Sequence, residues 1–478
     1  MEPGLNSASR FFSSSRFMQC SRKIAATCRV WQRVSDGKEK TMWEILDFGA
    51  KGDGETNDAS AIQQAIDRCA ESGGGRVVVG GGRTYLTGQI NLKSHVDLHI
   101  EGGAILLASK DPQDYPDKAF LRAFEAENVA VTGIGEINGR GVEFMREDHR
   151  YIYWLRRAPD SEPDFRPQMI SFIGCRNVTF HDLTIRDTPA WGLHLIGCED
   201  ILIQGVRILN NLKVPNCDGI DPDHCRNVRI NNCHIEAGDD CIVVKNSRPY
   251  RHYGITENII VTGCTLVSTS AALKIGTEGV NDFRNIIFDS CIIDRSNRGM
   301  AIQVRDEGNV ENVLFSNIVV NTRLFYDDWW GKAEPIYVTS LPRSPETVPG
   351  KVRHVRFSNI FCRGENGVFI QGTPENPIED VVLETVRLEI EKTTKWMGGL
   401  HDIRPPEIKE NVYHHPTVGV FAKNARSLKL RNVSVIWGAN RPDYFGSALE
   451  LHMVKNLETE NFTGESAHPD RFPAVVKR

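Results

Sequence analysis

Asn216–Asp240 reads NCDGIDPDHCRNVRINNCHIEAGDD, and its middle, RNVRINNC from Arg226, is a phrase that the chain keeps repeating. An Asn or Asp followed by alternating apolar residues stands at ENVAVTGI (127), RNVTFHDL (176), EDILIQGV (199), ENIIVTGC (257), RNIIFDSC (284) and ENVLFSNI (311). Weaker copies are RHVRFSNI (353), EDVVLETV (379) and RSLKLRNV (426). Successive copies commonly lie 23 or 27 residues apart. Short strands at a period of about 20–30 residues, without intervening helices, predict a parallel β-helix. The LxxLxL phrase of leucine-rich repeats is absent, and propeller blades need about 40 residues or more. The expected fold is all-β: a right-handed single-stranded parallel β-helix of about ten rungs with an N-terminal capping helix.

The same stretch concentrates acid. Asp218, Asp239 and Asp240 stand at its two ends, with 21 residues between the first two. Asn216 and Asp218 are two apart and share one face of an extended strand, while Cys217 points the other way. Rungs stack about 4.8 Å apart, so the three carboxylates converge on one place. A buried core excludes unpaired charges, which cost several kcal/mol each, so the cluster belongs to a solvent groove suited to a polymer or its oligomers. Glycoside hydrolysis uses two carboxyl groups, one protonated and one ionised. Crowding Asp239 against Asp240 and Asp218 keeps one of them protonated without a metal or cofactor.

The totals exclude other classes. At 478 residues and net charge −5 the chain carries no basic stripe for nucleic acid. No apolar run approaches the roughly 18 residues that span a bilayer. The 12 cysteines follow the repeat: Cys175, Cys198 and Cys225 precede equivalent phrases, and Cys233, Cys264 and Cys291 recur at a second position. Buried free cysteine behaves as a small hydrophobe, and no zinc-ligand spacing is present. A reduced, cytoplasmic protein is expected.

Residues 1–42 read as a presequence or disordered extension. Six basic residues (Arg10, Arg16, Arg22, Lys23, Arg29, Arg33) oppose one acid, Glu2, within the first 35. Residues 43–478 form the β-helix domain. Within it Asp58–Ser72 predicts a helix, with Ala61, Ile62, Ala65, Ile66 and Cys69 on one face, Asn57 or Asp58 as cap and Gly73-Gly74-Gly75 as stop. That helix covers the open end of the coil. Three segments break the period: Gly141–Pro167, Leu324–Pro335 with Trp329 and Trp330, and Trp396–Pro416 with His401, Arg404, His414 and His415. Such insertions edge the binding site of a solenoid, and the first and third here predict exo-cleavage or a preference for short oligomers.

From about Trp43 to Lys455 the chain resembles the polygalacturonase-type family 28 glycoside hydrolases. The likeness is carried by LDFGAKGDGETND, INGRG, RPQMISFIGCRNV and TPAWGLH, and by NCDGID…GDDCIVVKN, which is similar to the family's N-x-D, D-D and I-x-I-K-S elements. The resemblance implies that Asp239 is the general acid, that Asp218 and Asp240 activate water, and that Asn216 positions the site. It further implies inversion at the anomeric centre, an outcome that goes with carboxyl separations of about 6.5–9.5 Å. Two elements differ. Ser270 or Ala271 stands where the family has the histidine of Gly-His-Gly, and Ala301-Ile302-Gln303 stands for Arg-Ile-Lys. Lys274 and Arg305 are then the nearest replacements for the lost cations, Lys245 is a further ligand candidate, and His194 has either a groove role or a structural hydrogen bond. The expected partner is a uronide-containing oligo- or polysaccharide, with no nucleic acid and no membrane. Alternatives on the same scaffold are a rhamnosidase-type or other pectin side-chain glycosidase, a uronate lyase or epimerase with calcium at the acids, and a non-catalytic carbohydrate-binding solenoid.

Overall fold

The structure, a computed structural model, describes residues 41–148, 150–154, 165–404 and 411–478. The expected presequence therefore lies almost wholly outside the described residues, as do parts of the first and third insertions.

Each repeated phrase opens with a residue in the left-handed region, which Asn and Asp enter most readily after glycine. Asn177, Asn227, Asn258, Asn285 and Asn312 sit there with φ of 54–61°. Their amides form a ladder across turns: Asn258 Nδ2 donates to Asn227 Oδ1 at 3.1 Å, and Asn285 Nδ2 donates to Asn258 Oδ1 at 3.1 Å. Behind this corner the phrase runs as a strand, such as Arg226–Asn231, whose Val228 and Ile230 turn inward. Removing each such side chain from water contributes about 1.5–3 kcal/mol. Strands at equivalent places pair in parallel with the turns before and after. Arg226–Asn231, for example, lies between Glu199–Gln204 and Thr256–Thr262.

Three such ladders make each turn of the coil. The second includes His234–Ala237 between Arg207–Leu209 and Thr265–Ser268. The third runs through Leu193–Ile196, Ile220–Asp223, Ile242–Asn246, Ala271–Gly279, Arg298–Val304, Ile336–Ser340, Val368–Gln371 and Val420–Arg426. The coil extends beyond the ten phrase copies at both ends. Met42–Glu44, Gly75–Val79 and Val96–Ile100 already pair in the first ladder, with His95 in the left-handed corner that Asn takes later.

Inside, like stacks on like. Phe288, Phe315 and Phe357 lie face to face at 4.8 Å spacings. The two cysteine columns read from the sequence are present, and every described cysteine is free and buried. The helix is Ala59–Glu71, with Ala61, Ile62, Ala65, Ile66 and Cys69 buried against the first turns. Asn57 Oδ1 accepts from Ala59 N at 3.0 Å, whereas Asp58 spends its carboxylate on Lys51 N and Gly52 N and ties down the preceding loop.

Candidate active site

Asp218, Asp239 and Asp240 come together because successive turns of the third ladder begin beside one another. Gly219 N donates to Asp240 O, and Cys241 N donates to Ala271 O. One oxygen from each of the three carboxylates lies within 4.8 Å of one from each of the others, and all three side chains are buried. These nearest oxygens are closer than the 6.5–9.5 Å expected with inversion.

Two ammonium groups hold the cluster. Lys274 Nζ donates to Asp240 Oδ2 at 2.7 Å, while Asp240 Oδ1 accepts from Ala271 N at 3.0 Å. Lys245 Nζ lies 3.4 Å from Asp218, 3.2 Å from Asp221 and 3.8 Å from Glu278, over the face of Trp191 at 3.7 Å. The backbone N of Asn216 donates to Asp239 Oδ2 at 3.3 Å, and Asn216 Oδ1 accepts from Arg166 Nη2 at 3.1 Å.

This arrangement separates the acids. Burial, then the charges of Asp218 and Asp240, hold the Asp239 carboxyl well above the usual range. Burial acts on Asp240 in the same direction, but the Lys274 and Lys245 ammoniums outweigh it and bring that group below the ordinary value. Asp218 is raised by burial although Lys245 pulls it back. Asp221 is raised well above by burial and then by Asp218, and neither of its oxygens makes a well-directed hydrogen bond. An acid beside an ammonium is ordinarily lowered. Here one ammonium is shared among several desolvated carboxylates, so Lys245 is itself raised while Asp218 and Asp221 stay high. The result is a carboxyl that is raised beside one that is lowered.

The acids floor a cavity of about 170 Å³. Its lining includes Trp191, Glu278, Arg298, Gln303, Trp330, Arg343 and Arg404 besides Asn216, Lys245 and Lys274. Two sequence candidates lie elsewhere. Arg305 is wholly buried and is not brought to the cavity; it donates to Val304 O, Thr339 Oγ1 and Ile403 O at 2.9–3.0 Å. His194 is buried behind the cavity wall, with Nε2 3.1 Å from Asp223 Oδ2 and its ring edge-on to Trp191 at 4.7 Å. It supports Trp191 and does not line the cleft.

Sequence reasoning missed Asp221, Glu278 and Arg343. Asp221 follows inward-facing Ile220 on one strand and so must face outward, and Glu278 follows Lys274 at twice the strand period. Those two had a signal. Arg343 comes from a loop after the strand Ile336–Ser340 and had none. Arg404 reaches the cleft because the third insertion is pinned to the ladder. Arg298 and Tyr337 donate to Asp402 O, Gln303 to Arg404 O and Arg305 to Ile403 O.

The chain matches the model of the glycosyl hydrolases family 28 over residues 69–397. A probable polygalacturonase of Vitis vinifera is 29% identical over 382 residues, covering 73% of this chain and 75% of that one. An endo-polygalacturonase of Pectobacterium carotovorum subsp. carotovorum is 24% identical over 414 residues, covering 82% and 93%. The solved family 28 exopolygalacturonase of Yersinia enterocolitica shares the fold with a TM-score of 0.69 at 18% identity, over 87% of this chain and 78% of that one.

Proposed function

Because the chain belongs to glycosyl hydrolase family 28, we propose that it hydrolyses galacturonide bonds in pectin fragments, with Asp239 as general acid. The observation that carries this reading is the convergence of three buried carboxylates with the Lys274 ammonium on Asp240, while burial and its acid neighbours raise the Asp239 carboxyl. Five cations and four carboxylates line the cavity, and with Asp239 protonated the positive excess suits an anionic sugar.

In this mechanism Asp239 protonates the leaving oxygen while Asp240 and Asp218 orient and deprotonate water. Both Asp240 oxygens already accept hydrogen bonds, which suits a carboxylate that holds water better than one that attacks carbon. We therefore keep inversion in the reading despite the close approach of the acids. Exo-action is favoured by the walls. Trp330 and Arg404, from two insertions, line the cavity, and Tyr151, Tyr326 and Trp396 bind all three insertions together at ring distances of 4.6–5.8 Å. The calcium-dependent lyase alternative is disfavoured because the Lys274 ammonium already sits on Asp240.

The test uses leaving groups. Asp239→Asn should lower turnover of oligogalacturonate by about 10²–10⁴-fold or more, and cost far less on an aryl galacturonide whose leaving group needs little protonation. The first-formed sugar anomer should be inverted, the product should not absorb in the ultraviolet as an unsaturated uronide does, and chelators should leave the rate unchanged. Equal losses on both substrates would remove Asp239 from the acid role.

A further inference from the structure

Arg298 opens the strand Arg298–Val304 and pairs with Ala271 on the turn before. It lines the cavity although only 4% of the residue is exposed. Its guanidinium is fixed on three sides. Nε donates to Glu334 Oε2 at 3.0 Å, Nη2 donates to Asp402 O at 2.9 Å, and the planar group lies 3.9 Å above the centre of the Tyr337 ring. Glu334 is held in turn by Lys332 N at 2.8 Å. Among the described residues nothing accepts from Nη1. The cavity that Arg298 lines also holds Asp239, Asp240 and Gln303 in its wall.

The other cations of the cavity are more heavily engaged. Lys274 neutralises Asp240, and Lys245 is shared among Asp218, Asp221 and Glu278. Arg404 places Nε and Nη2 on Asp402, Nη2 also on Trp329 O, and Nη1 on Asp328 O. Arg343 grips Asp306 through Nε and Nη2. Arg298 is thus a rigid, desolvated fork with donors left for a planar anion, the geometry that pairs with a carboxylate.

We infer that Arg298 is the residue that selects the substrate by its carboxylate, taking a uronate group of the sugar bound at the Asp239 site. This rests on the galacturonide reading above and assigns to Arg298 the part for which sequence position nominated Lys274 and Arg305. A methyl ester masks the charge while keeping the ring, so acid and ester form the diagnostic pair.

The experiment measures kcat/KM for oligogalacturonate and for its methyl ester with wild type, Arg298→Lys and Arg298→Gln, with a melting curve for each protein. Wild type should prefer the acid. In Arg298→Gln the loss on the acid should exceed the loss on the ester by about 10–150-fold, as expected when a charged hydrogen-bond partner is removed. Arg298→Lys, which keeps charge but not the fork, should fall between. Binding of galacturonate and of its methyl ester by calorimetry should show the same change in ratio. A wild type that handles ester and acid alike overturns the inference whether or not the variants fold. So does a folded Arg298→Gln that keeps the preference, or one that loses both substrates equally. If no protein cleaves any galacturonide, the hydrolase reading fails by itself, and the binding ratio still decides the role of Arg298.

Discussion

Two stretches of one register line on the outer face of the third ladder behave oppositely. The line runs Val243, Lys274, Ala301, Tyr337, Phe369, Phe421 and Glu450. From Tyr337 to Phe421 it is a pile of rings, Tyr337 on Phe369 at 5.3 Å and Phe369 on Phe421 at 5.2 Å, nearly parallel. Before Ala301 it lies among the acids. Aromatic rings gain by repetition, since each new turn adds a stacked neighbour. Charges lose by it, because like charges on adjacent turns repel and buried ones must be paired. The aromatic stretch is therefore uniform, whereas at the acid end ammoniums are set against carboxylates, Lys274 on Asp240 and Lys245 between Asp218 and Asp221. The proposed chemistry lies where the stacking habit is broken.

The largest effect that separates the two ends should come from Lys274→Met. It leaves Asp240 buried without its cation and should destabilise the protein by about 3–5 kcal/mol. With Lys245 left as the remaining ammonium, burial would raise the Asp240 carboxyl, so its ionised form would appear only at higher pH. The acidic limb of the kcat/KM profile should move upward. A limb that stays in place would show that Lys274 is not what keeps Asp240 ionised. Phe369→Ala strikes the aromatic end and should cost about 3 kcal/mol in denaturant unfolding while leaving the pH profile where it was. A shift of that profile would mean the two ends are not separate.

The smallest effect concerns His401, edge-on to Phe369 and Phe421 at 4.7 Å each and stacked on His415 at 4.2 Å. Burial, with the neighbouring His415 adding to it, holds its imidazole well below the usual histidine value. Glu450, His415, His452 and Tyr413 also face this corner. An unfolded chain takes up the proton near pH 6.5, at the ordinary histidine value, and the folded one does not. Stability from this group is therefore complete above about pH 6.5 and declines as pH falls, by at most about 1.4 kcal/mol per unit. Melting curves from pH 7 to 5 should be flatter for His401→Phe than for wild type. Equal slopes would place the acid sensitivity on another group.

The coil was legible because its corners are local. Asn in the left-handed region and the in-out alternation of RNVRIN depend only on neighbours in sequence. The acids were legible for the same reason, being fixed by strand period and turn length. Arg343 and the engagement of Arg298 by Glu334 and Asp402 were not, since these contacts join segments brought together only by the wound coil. Arg305 shows the limit most clearly. It follows Gln303 by two residues and so faces the same side, but beyond Gln303 the third insertion covers that side. Facing outward there means lying beneath a hairpin, which no strand pattern reveals. Trp329 and Trp330 divide in the same way: the first is buried, while the second is 42% exposed and lines the cavity.

The pinning of the third insertion also has a consequence in time. Asp218, Asp239, Asp240, Lys245 and Lys274 leave the ribosome in turn, followed closely by Arg298 and only later by Trp330, Arg343 and Arg404. Because each turn leans chiefly on its immediate neighbours and synthesis runs from the N-terminus, the acids and their two lysines can settle while the rest is still being made. The positively charged wall then arrives piece by piece, with Arg404 last. The nascent chain thus acquires its acid floor first and completes the cationic wall above it only as synthesis nears its end.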